Sequence, residues 1–180
     1  MINVIIARID KGEEILEQLK AIAINENIKL ASINALGAIN DFTIGVYKTD
    51  EKKYYSNSFK GYYEIASLTG TINTMDGEYY AHLHMSVGNE KGEAFGGHLN
   101  RAVVSATCEM VITVIDGKVD RVYDEETGLN VFKFANFPFE KEELKKAGKK
   151  DIIATKISGK LCENRGLRFG RVLCKIIGKG

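Results

Sequence analysis

All three histidines of this 180-residue chain lie between Tyr79 and Leu99, in the stretch YYAHLHMSVGNEKGEAFGGHL. His82 and His84 stand one residue apart in a run that alternates like a strand, so both rings project from the same face. His98 follows Gly96-Gly97, a pair suited to close backbone packing or to a bulge that aims the next side chain. Three neutral imidazoles on one face suit a divalent transition metal, zinc first, with nickel, copper and iron also compatible with an all-nitrogen set. Such a site leaves a fourth position for water, and zinc would bring the pKa of that water towards neutrality. The competing view makes the three histidines ordinary strand residues. A general base near such a metal would come from Glu64, Glu93 or Glu109. Glu64, between Tyr63 and Ile65 in a strand expected to be half buried, needs a partner there, either a ligating imidazole or a structural ion pair. Ser86 reads as an ordinary strand residue.

The elements that must position these residues follow from periodicity. Val4 to Ile9 reads as a first strand. Ile15, Leu16, Leu19, Ile22 and Ala23 recur at helical spacing between Gly12 and Asn25, with Glu13 and Glu14 favourably placed in the first turn. Strands are expected over 29–35, 42–48, 53–59, 62–72, 79–87, 103–115 and 119–123, all rich in Ile, Val, Tyr or Phe. Short linkers carry turn residues at Asp76-Gly77, Gly88-Asn89, Asp116-Gly117 and Thr127-Gly128. This order predicts an α+β fold: a mainly antiparallel β-sheet with one or two covering helices. Beyond Pro138, a short basic helix over 141–149 and strands over 152–161 and 172–177 are expected.

Composition is that of a globular protein, with 44% hydrophobic and 27% charged residues. No apolar run approaches the ~18 residues of a membrane span. The N-terminus lacks the basic region and cleavage pattern of a signal peptide. Cys108, Cys162 and Cys174 are odd in number and widely spaced, which points to reduced thiols and a cytoplasmic setting. The formal net charge of +1 hides an asymmetry. Residues 1–137 hold 13 Lys+Arg against 19 Asp+Glu, and residues 138–180 hold 12 against 5. A basic tail of this kind is either a solvated surface or an arm for an anionic partner.

The segments GYYEIASLTGTIN, YYAHLHMSVGNEKGEAFGGHL and RAVVSATCEMVI resemble the PPC domain, found in prokaryotic stand-alone proteins and in plant AT-hook nuclear proteins. The likeness extends upstream to ARIDKGEEI and NALGAINDFTIGVY and downstream to LNVFKF. It assigns residues 1–137 to the PPC domain and leaves 138–180 as a basic C-terminal extension outside the pattern. The resemblance implies a homotrimer and a DNA-associated, regulatory role. The chain departs from the plant members in one respect. Its NRGLRFGRV element places Leu167 and Phe169 between arginines with no following proline, so it is not an AT-hook that could enter an A·T minor groove. The acidic PPC portion should be repelled by phosphates, so any DNA contact, non-specific in kind, falls to the tail. The sequence thus reads as a metal-binding PPC-domain protein of regulatory, DNA-associated role. The other class open to it is a metal-dependent enzyme or small-molecule binder using the three histidines.

Overall fold

A computed structural model describes residues 3–134. The tail expectations over 141–149, 152–161 and 172–177 therefore lie outside the described residues. The chain runs β1 (Asn3–Asp10), α1 (Ile15–Asn25), β2 (Ala31–Lys48), β3 (Lys53–Met75), β4 (Glu78–Gly88), β5 (Ala94–Val114), β6 (Asp120–Asp124) and β7 (Leu129–Lys133). One helix covers a mainly antiparallel sheet, as the α+β reading expects. A two-residue parallel pairing of β3 with β6 is the exception.

Two pairs of expected strands are single long strands. The segments 29–35 and 42–48 form β2, and 53–59 and 62–72 form β3. The interruption around Gly37 to Asn40 is absorbed by register shifts against β3, between Ala35 and Gly37 and between Ile39 and Asp41. Such bulges bend a strand without ending it. β5 likewise starts at Ala94, nine residues before its expected start, so Gly96, Gly97 and His98 belong to a strand.

β2 pairs with β3, β3 with β4, β4 with β5, and β5 back with β2, which closes a ring of four strands. β1 adds to the outer edge of β5. Inside the ring and under α1 sit Ile33, Ile39 and Phe42 of β2, Leu68 and Ile72 of β3, Leu83 and Val87 of β4, and Met110 and Ile112 of β5. The helix contributes Ile15, Leu19 and Ala23, its core-facing stripe. Glu14 is its N-cap, accepting from the Glu17 amide at 2.8 Å, and its other carboxylate oxygen accepts from the Ala102 amide at 2.8 Å. One side chain thus satisfies a helix end and ties it to β5.

In β5, Ala102, Val104, Cys108, Met110 and Ile112 are buried, whereas Ala106 and Val111 are exposed. α1 covers only one face of this strand.

Candidate metal centre

β4 alternates Leu83, Met85 and Val87 inward, which leaves His82, His84 and Ser86 on its outer face. His84 is directly opposite His98 in the β4–β5 ladder. A bulge follows at once: Thr43 pairs with Arg101 and Ile44 with Leu99, so Asn100 is an extra residue in β5. Leu99 stays in the core while His98 keeps its outward aim. Glycines make the approach possible. A Cβ on Gly97 would stand 2.6 Å from the Gly45 carbonyl oxygen, and one on Gly70 would stand 2.1 Å from that of His82. Gly70 thereby lets β3 lie close against β4 at the histidine itself.

His82 Nε2 lies 3.3 Å from His84 Nε2. One ligand nitrogen from each of His82, His84 and His98 falls within 4.8 Å of the other two. Tetrahedral zinc with bonds of about 2.0–2.1 Å sets its ligand nitrogens about 3.3 Å apart. The His82–His84 edge already has that length, so the residues present fit a tetrahedral ion. His82 and His98 are half buried, and His84 is exposed. The Tyr54 ring stands edge-on to His98, 6.2 Å between centroids, and its hydroxyl donates to Asn100 Oδ1 at 2.6 Å. Tyr54 thus braces both the third histidine and the bulge beside it.

Burial pushes His82 down to about 4, helped by the neighbouring charges of His98, Arg121 and His84. Burial, then His84 and Arg121, also lowers His98. Both rings are therefore held neutral, the form that ligates a metal. A consequence for stability follows. Between pH 6.5 and 4 the unfolded chain takes a proton on His82 that the folded chain refuses. The metal-free protein should keep its full stability above about pH 6.5 and lose it as pH falls towards 4. Urea midpoints measured across this range should decline in the wild type and decline less in His82→Asn. Equal slopes in the two proteins would contradict the assignment.

The three carboxylates offered as partners lie elsewhere. Glu64 is exposed rather than half buried, and it pairs with Gly88 and Ala38. Along β3 it is five residues from Thr69, the residue opposite His84, or about 16 Å. It does not support a ligating ring of its own chain. Glu93 closes the β4–β5 turn, accepting from Asn89 Nδ2 at 2.7 Å. Glu109 lies far along β5, opposite Arg8 and Leu36. The group that does reach the cluster is Arg121, whose Nη2 is 3.3 Å from His82 Nδ1. Nothing in its local sequence, RVY within a short strand, marks it. Its placement depends on the parallel β3–β6 pairing.

The ring of strands with its histidine face defines the class of protein. Residues 1–116 match the model of the Plants and Prokaryotes Conserved (PCC) domain, and the chain belongs to that family, the PPC domain of the sequence reading. Solved structures of the same fold include a candidate DNA-binding protein from Bacteroides thetaiotaomicron, 33% identical, TM-score 0.71, covering 73% of this chain and 92% of that one. A metal-containing protein from Archaeoglobus fulgidus is 31% identical, TM-score 0.69, covering 73% and 93%. A plant- and prokaryote-conserved protein from Pyrococcus horikoshii is 31% identical, TM-score 0.68, covering 76% and 97%. No curated protein matches the chain.

Proposed function

We propose that this chain is a metal-binding PPC-domain protein in which His82, His84 and His98 hold one divalent transition ion, zinc in the first place. The observation that carries this reading is the 3.3 Å separation of two ligand nitrogens on a face where a third ring converges. The metal-containing relative from Archaeoglobus fulgidus supports it. Water or a group from a neighbouring subunit completes the shell. When bound, the ion supplies a Lewis-acidic position; His82, His84 and His98 orient it, and Tyr54 and Asn100 hold His98 in place. With Glu64, Glu93 and Glu109 away from the cluster, a binding or regulatory role fits better than metal-dependent hydrolysis. Cobalt(II) tests the site: visible absorption of a four- or five-coordinate ion should saturate at one equivalent per chain and be bleached by zinc. A spectrum no different from the aqueous ion would contradict the reading.

The role we assign is regulatory and DNA-associated, in the cytoplasm. The relatives described as candidate DNA-binding proteins, from Bacteroides thetaiotaomicron and Ralstonia eutropha, support the DNA part. The charge division favours a contact through 138–180, with 12 cations against 5 anions. Binding of this kind is non-specific and weakens steeply as salt rises. Deleting 138–180 should abolish retention on duplex DNA and leave metal binding intact; undiminished retention would place a basic groove in the acidic portion instead. The buried free thiol of Cys108 is compatible with a reducing compartment.

We also propose a homotrimer. Val4, Ile6, Leu36 and Val111 leave apolar surface exposed on neighbouring strands β1, β5 and β2, with Ile6 at 73% and paired directly with Val111. Such a patch is the mark of an interface. Light scattering should give three times 20.0 kDa, and a mass near 20.0 kDa at micromolar concentration would refute the trimer.

A further inference from the structure

Arg121 is buried beside the histidines at 6% exposure, a rare placement for a guanidinium. Its hold on the surroundings is many-sided. Nε donates to Asn73 Oδ1 at 3.0 Å, and Nη1 donates to the Asn130 carbonyl of β7. The rings of Tyr80 and Phe132 lie over the guanidinium at 4.8 and 4.4 Å. These contacts span β3, β4 and β7, so Arg121 is the pin that fastens the β6–β7 hairpin to the histidine face.

The remaining contact, Nη2 to His82 Nδ1 at 3.3 Å, has a chemical consequence. A guanidinium can only donate, so His82 Nδ1 must present its lone pair to it. In the neutral ring the proton then resides on Nε2, the nitrogen that faces His84 and that a metal would take. Metal-bound histidines are normally arranged the other way, with the lone pair on the metal and the opposite N–H donated to a carboxylate or carbonyl. Here a cation stands where that acceptor belongs, and four neighbouring groups fix it there.

We propose that Arg121 opposes metal uptake at the three-histidine cluster, because an ion on His82 Nε2 requires the ring to give up its bond to Arg121, one of the contacts that tie the β6–β7 hairpin to β4. Arg121 is thus a positioning residue whose sign is negative, and metal and hairpin compete for one imidazole. By linkage, an ion at the histidines loosens the hairpin's grip to the same extent that a docked hairpin weakens the ion. Metal occupancy is thereby coupled to the docking of the β6–β7 hairpin on the histidine face. This inference rests on the metal reading above.

Two measurements test it. A long-range proton–nitrogen spectrum of the histidine rings in the metal-free wild type at pH 7.5 should show His82 as the Nε2–H tautomer; the Nδ1–H tautomer would overturn the proposal without any variant being made. Zinc affinities by chelator competition should then rank Arg121→Met about tenfold or more tighter than the wild type, within the range that groups bonded to ligating histidines command. Arg121→Lys, which keeps a donating cation, should stay with the wild type. A residue that merely packs would give weaker zinc binding on removal, and an Arg121→Met protein that binds zinc no tighter than the wild type overturns the proposal. If the wild type takes up one zinc and Arg121→Met is no tighter, this inference alone falls. If neither folded protein takes up zinc, the metal reading falls with it.

Discussion

Replacing His84 by Ala should weaken zinc binding by more than about 100-fold, since even groups that only support a ligating histidine are worth about 10–100-fold. His84 is the hub of the cluster: its Nε2 is 3.3 Å from that of His82, and its backbone stands opposite His98. Its ring is also the exposed one, so truncation removes little packing. The fold should therefore survive the loss, and circular dichroism should not change. Ser86, next on the same face and opposite Gly96, serves as the control. Ser86→Ala should leave the affinity where it was. Equal zinc affinity in His84→Ala and the wild type, by competition with a chromophoric chelator, would remove His84 from the site.

Phe42→Ala should cost about 3–5 kcal/mol of stability, the usual range for a fully buried phenylalanine. Phe42 is 0% exposed, stacks on Phe59 at 5.0 Å between centroids, and meets Tyr63 edge-on at 4.9 Å. It stands opposite Ala102, two residues from the Asn100 bulge that aims His98. A loss of this size is a large part of the 5–15 kcal/mol that holds a typical domain together. It should appear as a lower urea midpoint with an unchanged slope. A loss below about 1 kcal/mol would mean that the surrounding rings close over the gap.

The histidine face was legible because it depends on the shortest-range rule of a strand. Alternation alone places His82 and His84 together and sends Leu83 and Met85 inward. The same rule sends Glu64 outward, since its neighbour Ile65 is buried, so the exposed face of a half-buried strand carries it and no partner is needed there. Strand ends were harder. The gaps left between the expected strands, at 36–41 and 60–61, lie inside β2 and β3, since pairing on both sides of β2 carries the strand past local irregularities. His98 falls outside every expected strand because Gly96-Gly97 is poor strand sequence. Only the close approach of Gly97 to Gly45 explains why glycine is used there. Arg121 carried no signal. Its meaning comes from contacts with Asn73, His82 and Asn130, 48, 39 and 9 residues away in sequence, which no local pattern encodes.

The most direct test of the account is elemental analysis of the full chain after purification and zinc reconstitution at pH 7.5, followed by extensive dialysis. One zinc per chain, lost when His82, His84 and His98 are replaced together by Ala, is the predicted result. A folded wild type that retains no stoichiometric metal would show that the three imidazoles converge without an ion between them.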